Sequence, residues 1–409
     1  MLSIKGNYLY NNDKPFFWLS DTAWELFKLD IDDIKLYLKN RKSLGYNVIQ
    51  TILILKYTDK IKTKEYWNYV SKAIDYAKSL DIYMALLPCW GSVIKDGYIN
   101  KNNIDEYIKF LSSYFKQDNI IWVLGGDIRG DYNLELFNHI GKSLKELNKE
   151  RLITFHPFGR TGSYLWFNNQ DWLDFNMFQS GHRRDDQLTN KLDDLNDEST
   201  FGESSYKYVI KNFSYDIKKP CLDSEPSYEG VRQGLHFEGE PYWEAYHIRR
   251  YAYFSVFEGS CGHTYGNNAI IQFYNYDGNG NYGVRESWYE ALHSPGGAQM
   301  QYLKELMESV DYTKGKATPK LILNQYDNTH RISCFSSLSF IFCYTFYGDE
   351  IQLDLKDYKN KKMSSYWMNP ENNSKSYINT LTGFDSYRFK PTMKKELSND
   401  WVLILIEEI

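Results

Sequence analysis

The chain has no excess of basic residues: 48 Lys and Arg stand against 53 Asp and Glu, a net charge of −5 over 409 residues. That balance offers little to neutralise phosphates, so it argues against nucleic acid or an anionic membrane as a partner. Nowhere does an apolar run reach the ~18 residues that a membrane helix needs. The start, Met1-Leu-Ser-Ile-Lys-Gly-Asn-Tyr8, lacks the basic and then apolar pattern of a secretion signal, which leads to the expectation of a cytoplasmic protein. Cysteines are few and odd in number (Cys89, Cys221, Cys261, Cys334, Cys343), and none forms a CxxC pair. They read as small buried hydrophobes rather than disulfides or metal ligands. Internal repeats and low-complexity linkers are also missing.

Aromatic residues, by contrast, are abundant: 17% of the chain, with 36 Tyr and 11 Trp. A compositional drift toward Tyr, Asn, Lys and Ile accounts for most individual tyrosines. A minority placed at a site would suit sugars, because an aromatic face matches the apolar C–H face of a sugar ring.

Short apolar strands alternate with helical patterns through roughly the first 310 residues. The strands fall at Phe16–Ser20, Asn47–Leu53, Ile82–Cys89, Asn119–Leu124, Leu152–Phe155, Asp174–Phe178, Pro220–Asp223 and Ser260–Thr264. Helical periodicity covers Ile31–Leu44, Trp67–Leu80, Ile104–Phe115, Leu134–Asn148 and Trp243–Phe257. Eight such alternations predict an α/β fold, a (β/α)8 TIM barrel over residues 1–310. A doubly wound sheet fits less well, since no Gly-rich turn follows the first strand. From about residue 311 the helices stop. Strand-like stretches at Leu321–Gln325, Arg331–Phe335, Leu338–Phe346, Ile351–Leu355, Lys362–Asn369 and Trp401–Ile406 predict a small C-terminal antiparallel β-sandwich over 311–409.

In such barrels chemistry sits at the C-terminal ends of the strands. Here those ends carry Asp21, Trp90, Asp127, His156, His182, Glu225, His263 and Tyr265. The run Trp122-Val-Leu-Gly-Gly-Asp127 stops an apolar strand on two glycines and a carboxylate. By the period of two, Asp127 shares a face with Val123 and Gly125, and no helix starts soon enough for it to serve as a cap. Lys219-Pro-Cys-Leu-Asp-Ser-Glu225-Pro226 ends a second strand on an acid, with Asp223 two residues before as an internal polar partner. Two carboxylates on two strand ends are what cleavage of a glycosidic bond needs. If Glu225 is the nucleophile, Asp127 must hold a proton, and burial beside the Glu225 charge raises its pKa. A separation of about 5–5.5 Å is expected for retention of configuration.

His156, His182 and His263 could in principle bind zinc. The His-x-His pair of metal-hydrolase barrels is absent, however, and the first strand ends Ser20-Asp21, so hydrogen bonds to substrate hydroxyls are the better use. No metal or other cofactor is called for. Gly278-Asn-Gly-Asn-Tyr-Gly283 matches the spacing of a dinucleotide fingerprint but leaves no clear strand, and reads as a loop. The overlapping calcium-loop pattern fails too, with Tyr282 where a glycine is required.

Longer motifs identify a relationship. Phe16-Phe-Trp-Leu-Ser-Asp-Thr-Ala-Trp-Glu-Leu-Phe27, Leu87-Pro-Cys-Trp-Gly91, Asn119-Ile-Ile-Trp-Val-Leu-Gly-Gly-Asp127, Ile153-Thr-Phe-His-Pro157, Trp172-Leu-Asp-Phe-Asn-Met-Phe-Gln-Ser-Gly-His182, Leu222-Asp-Ser-Glu-Pro226 and Gly262-His-Thr-Tyr-Gly266 resemble, in order, the apiosidase-like proteins of glycoside hydrolase family 140. The C-terminal segment looks like that family's usual sandwich. The resemblance implies a retaining glycosidase with acid/base Asp127 and nucleophile Glu225, and an activity that releases apiose from pectic side chains. Ser20 and Ser224 depart from the family, which commonly has glycine at both. Trp24, Trp90 and Trp166 become candidates for stacking on a carbohydrate substrate. Asp21, Gln50, His156, Gln179, His182, His263 and Tyr265 become candidates for holding its hydroxyls, Gln50 and Gln179 mostly on the strength of the resemblance. Specificity is expected from the loops Arg183–Asp197 and Asn275–Arg285. A non-catalytic carbohydrate-binding protein and a metal-dependent hydrolase are the alternatives.

Overall fold

The computed structural model describes the whole chain except residues 188–200, 279, 392–397 and 409. Eight parallel strands form the barrel: β1 (Trp18–Thr22), β2 (Val48–Ile52), β3 (Tyr83–Leu87), β4 (Ile120–Gly125), β5 (Ile153–His156), β6 (Asn176–Gln179), β7 (Cys221–Asp223) and β8 (Gly262–Tyr265). The sheet runs β5-β4-β3-β2-β1-β8-β7-β6, and the short strand Thr161–Gly162 pairs antiparallel to β6. Between β5 and β6 the ring is closed by single bonds, Asp174 N to Ile153 O (2.9 Å) and Thr154 Oγ1 to Phe175 O (2.7 Å). Each strand lies within a stretch expected from the sequence, or within two residues of it.

Helices cover the outside of the barrel. Ile31–Ser43 starts where Asp30 accepts hydrogen bonds from Asp32 N and Asp33 N, and stops before Gly45, whose φ of 81° suits glycine. Ala245–Phe257 is buried along nearly its whole length, because the barrel covers one side and the sandwich the other. Tyr253 stacks on Tyr344 of the sandwich with centroids 4.7 Å apart. Arg249 grips Asp400 with two bonds, of 2.7 and 2.8 Å. The buried charge is thus paired and multiply bonded, as burial requires.

The sandwich has a six-stranded sheet in the order Lys316–Ala317, Ser333–Ser336, Phe340–Thr345, Trp401–Glu407, Met363–Met368 and Lys375–Leu381. Ile351–Asp354 pairs with Ser386–Phe389 as a second, two-stranded layer. One expected strand is not formed. Leu321–Gln325 contains the end of a 3-10 turn (Pro319–Leu321) and a loop that pairs with the second layer only at an isolated bridge, Ile322 to Leu353, with Asn324 accepting from Gln352 N beside it.

Ahead of the barrel, Leu2–Lys5, Tyr8–Asn11 and Lys14–Phe16 make a three-stranded antiparallel sheet that the sequence reading missed. Its signals are the turns at Gly6-Asn7 and Asn12-Asp13, where Gly6, Asn12 and Asp13 take φ of 59°, 47° and 65°. All five cysteines are buried and unbridged. Among the described residues, no helix is long and apolar enough to cross a membrane.

Candidate active site

Beyond Val123 the alternation of β4 breaks, so it does not set the direction of Asp127. Gly125, Gly126 and Asp127 take φ of 88°, 93° and 52°, three left-handed residues in succession. Glycine is needed at the first two. A Cβ on Gly125 would lie 2.3 Å from the His156 carbonyl oxygen, and one on Gly126 would lie 2.7 Å from the Trp90 ring. Gly125→Ala combines that backbone clash with a left-handed backbone costing ~1–2 kcal/mol. Purified Gly125→Ala is expected to show a lower melting temperature and at least tenfold lower hydrolytic activity; a variant equal to wild type in both would contradict this account of the turn.

The reversal delivers Asp127 to a cavity of about 320 Å³ at the C-terminal end of the barrel. Glu225 enters the same cavity from the end of β7. Its carboxylate is held on both oxygens: His182 Nε2 lies 2.8 Å from Oε1, and His156 Nε2 lies 3.2 Å from Oε2, in ion-pair range but off the angle of a hydrogen bond. The backbone is held as well. Glu225 O accepts from Gly181 N at 3.1 Å, and Ser224 O accepts from Gln50 Nε2 at 3.1 Å. The His182 carbonyl in turn accepts from Trp243 Nε1 and Gly234 N.

The two acids are displaced in opposite directions. Burial pushes Asp127 up, the Glu225 charge pushes it further, and its carboxyl reaches about 6 despite His156, Lys95 and His182 nearby. Burial also acts to raise Glu225, but the close contacts with the His156 and His182 imidazoles outweigh it and bring Glu225 down to about 2. Between about pH 2 and 6 the pair is therefore mainly one proton donor and one anion, the division of labour that acid-assisted displacement requires.

Trp24 and Trp90 form one wall, their rings 5.2 Å apart and 59° from parallel, and Gln179 and His182 line the opposite part of the lining. His156 packs edge-on against Trp24 and is fully buried beneath the cavity. Gln50 is buried too and acts on the Ser224 carbonyl rather than lining the cavity.

Besides His156 and Gln50, four further expected contacts are corrected. Asp21 does not face the cavity: Arg41 Nε and Tyr37 Oη (2.7 Å) bond to its Oδ2, making a buried ion pair with the helix Ile31–Ser43. Tyr265 donates to Glu229 Oε2 at 2.5 Å, also away from the cavity. His263, in register with Leu19 and Asp223, is sealed in, and burial holds its imidazole down at about 3. Trp166 packs on Phe155 and under the Arg129 guanidinium, outside the cavity lining. Asp223 is the internal partner expected, bonded by Ser180 Oγ at 2.5 Å, but it points away from Glu225's side: its register partner Phe178 stacks on Tyr208 of the outer helix Ser205–Ser214.

Phe158, Arg160 and Tyr228 are among the cavity residues not anticipated, and Arg183 and Tyr282 enter the cavity from the two loops expected to set specificity. Tyr228 packs on the His182 ring at 4.7 Å, and its proton is held tightly by burial and by the Glu225 charge. Tyr282 enters at φ 55° from the loop Asn275–Arg285, one of the two expected to set specificity, and feels both Glu225 and Asp127. Asn279 of that loop, and residues 188–197 of the other loop expected to set specificity, lie outside the described residues. Ser20 and Ser224, which stand where glycine is usual, each donate to a nearby carbonyl, of Asp21 and Phe178. Among the described residues, no group of three or more His, Cys, Asp or Glu is arranged to hold a metal ion.

Comparison with known proteins agrees with the barrel fold. The family model "Apiosidase-like, catalytic domain" matches residues 3–314, and "Putative collagen-binding domain of a collagenase" matches 318–406. A solved structure named as a glycoside hydrolase superposes with a TM-score of 0.94 at 35% identity, covering 100% of this chain and 96% of its own. A glycoside hydrolase family 5 protein from Bacteroides vulgatus gives 0.93 at 33% identity, covering 99% and 93%. An endo-1,4-beta-mannanase from Rhizomucor miehei, at 15% identity and 0.52, covers 73% of this chain and 99% of its own and shares the fold alone. No curated protein sequence matches. The chain belongs to the apiosidase-like family and is a glycoside hydrolase.

Proposed function

We propose that the protein is a retaining glycosidase of the family 140 type that acts by double displacement on a plant-derived glycoside or oligosaccharide. The observation that carries this reading is the opposite displacement of two carboxyl groups in one cavity, Asp127 at about 6 and Glu225 at about 2. In the first step a Glu225 oxygen bonds to the anomeric carbon as the bond to the leaving oxygen breaks, and Asp127 gives that oxygen its proton. In the second, Asp127 takes a proton from water, the water oxygen attacks the anomeric carbon, and Glu225 leaves as a carboxylate. His156 and His182 keep Glu225 ionised and aimed, Gln50 fixes the carbonyl before it, and Trp24 and Trp90 offer the faces on which the sugar stacks.

Apiose is the proposed sugar, on the family likeness, and the cavity has room for a pentose. The catalytic unit is taken as residues 1–310, with 311–409 as an accessory module. A screen of nitrophenyl glycosides, apioside included, tests the reading: turnover is expected on at least one, lost in Glu225→Ala. Equal turnover by that variant would end the proposal.

A further inference from the structure

A second groove, of about 290 Å³, opens between the segment after β2 and the segment after β3. Ile54, Tyr57, Lys62, Ile99, Asn103 and Glu106 are among its walls. Tyr57, on its wall, stacks face to face on Tyr98 of the segment after β3, centroids 4.9 Å apart and planes 5° from parallel. The Lys62 ammonium lies 5.5 Å from the centre of the Tyr57 ring. Tyr98 nevertheless remains 48% exposed and Tyr57 38%. A pair assembled from two loops yet left in solvent gains little from burial, and exposed aromatic surface beside polar groups is the mark of a binding site.

Its position says what it would bind. Trp90 N donates to Ile54 O at 2.9 Å; Trp90 walls the catalytic cavity and Ile54 walls the groove, so one hydrogen-bonded step separates the two. We propose that the Tyr57–Tyr98 pair is a remote subsite for a sugar unit of a polysaccharide chain whose scissile bond lies between Asp127 and Glu225. This rests on the glycosidase reading and extends it, making the natural substrate a chain rather than a lone glycoside. A flat phenol ring takes the C–H face of a sugar, and Glu106 stands on the groove wall as a polar group beside it.

Affinity electrophoresis in native gels containing pectin, arabinoxylan or galactomannan tests this without relying on catalysis. Wild type is expected to be retarded by at least one polymer, Tyr98→Ala to bind that polymer about tenfold more weakly, and Tyr98→Phe to behave as wild type. Turnover of a nitrophenyl glycoside that ends before the groove should be the same in all three. No retardation of wild type by any of the polymers, or equal retardation of Tyr98→Ala and wild type, would overturn the subsite. Retardation that depends on Tyr98 in a protein that cleaves no glycoside would uphold the subsite and instead refute the glycosidase reading.

Discussion

Glu225→Gln is expected to lower kcat by about 10⁴-fold or more while leaving sugar affinity within a fewfold of wild type. Loss of a nucleophile removes the covalent route and leaves only binding and electrostatic terms, so effects of this size are usual. The substitution is close in shape, so His182 and His156 keep a partner and Gly181 keeps its carbonyl acceptor. Steady-state kinetics with an aryl glycoside, paired with calorimetric binding of the product sugar, separates the two effects. A variant that retains more than a tenth of wild-type kcat would remove Glu225 from the reaction. A variant that loses binding in parallel would mean that Glu225 holds the sugar rather than attacks it.

The second large effect concerns Asp127, and it depends on the leaving group. Asp127→Asn cannot give a proton, so glycosides with alkyl or sugar leaving groups are expected to lose about 10²–10⁴-fold in kcat/KM. A nitrophenolate departs with little protonation, so its first step should survive, with the second slowed because no base activates water. A pre-steady-state burst of nitrophenolate is then expected. The pH dependence follows from the same group. Asp127 donates in its protonated form, so kcat/KM on a poor leaving group should fall as pH rises above about 6. The anion of Glu225 persists down to about 2, so it sets no limb in the range where the fold is measured. In Asp127→Asn the basic limb should vanish. A limb that stays at the same pH in the variant would assign it to another residue.

How far the sequence carried this account differs between the strands and the side chains. Strand positions were legible because both faces of a barrel strand are buried, so each appears as an apolar run between polar turns. That same property hides which way a polar residue at the strand end points. Asp21 and Tyr265 are as close to their strand ends as Glu225 is to its own, yet neither faces the cavity: Asp21 bonds to Arg41 and Tyr37 of an outer helix, and Tyr265 to Glu229 in the segment after β7. Those partners lie on other elements, beyond the reach of a period of two. For Asp127 the alternation argument reached the cavity by the wrong route, since three left-handed residues, not strand pleat, set its direction. The two adjacent glycines were the visible sign of that turn.

The missed cavity residues share a different cause. Phe158 and Arg160 lie within four residues after His156, and Tyr228 lies three after Glu225, so each sits just past a strand end where the chain is irregular. Their types, aromatic and cationic directly after a functional strand end, were the available signal. Tyr282 gave less, because its loop is rich in Asn and Gly and its approach to the acids depends on how the whole loop folds over the barrel mouth.

The central claim is a covalent sugar on Glu225. Asp127→Ala mixed with a nitrophenyl glycoside and quenched within the burst should gain the mass of one glycosyl residue, and peptide mapping should place it on Glu225. An adduct on another residue, or no adduct together with product released in inverted configuration, would contradict the account.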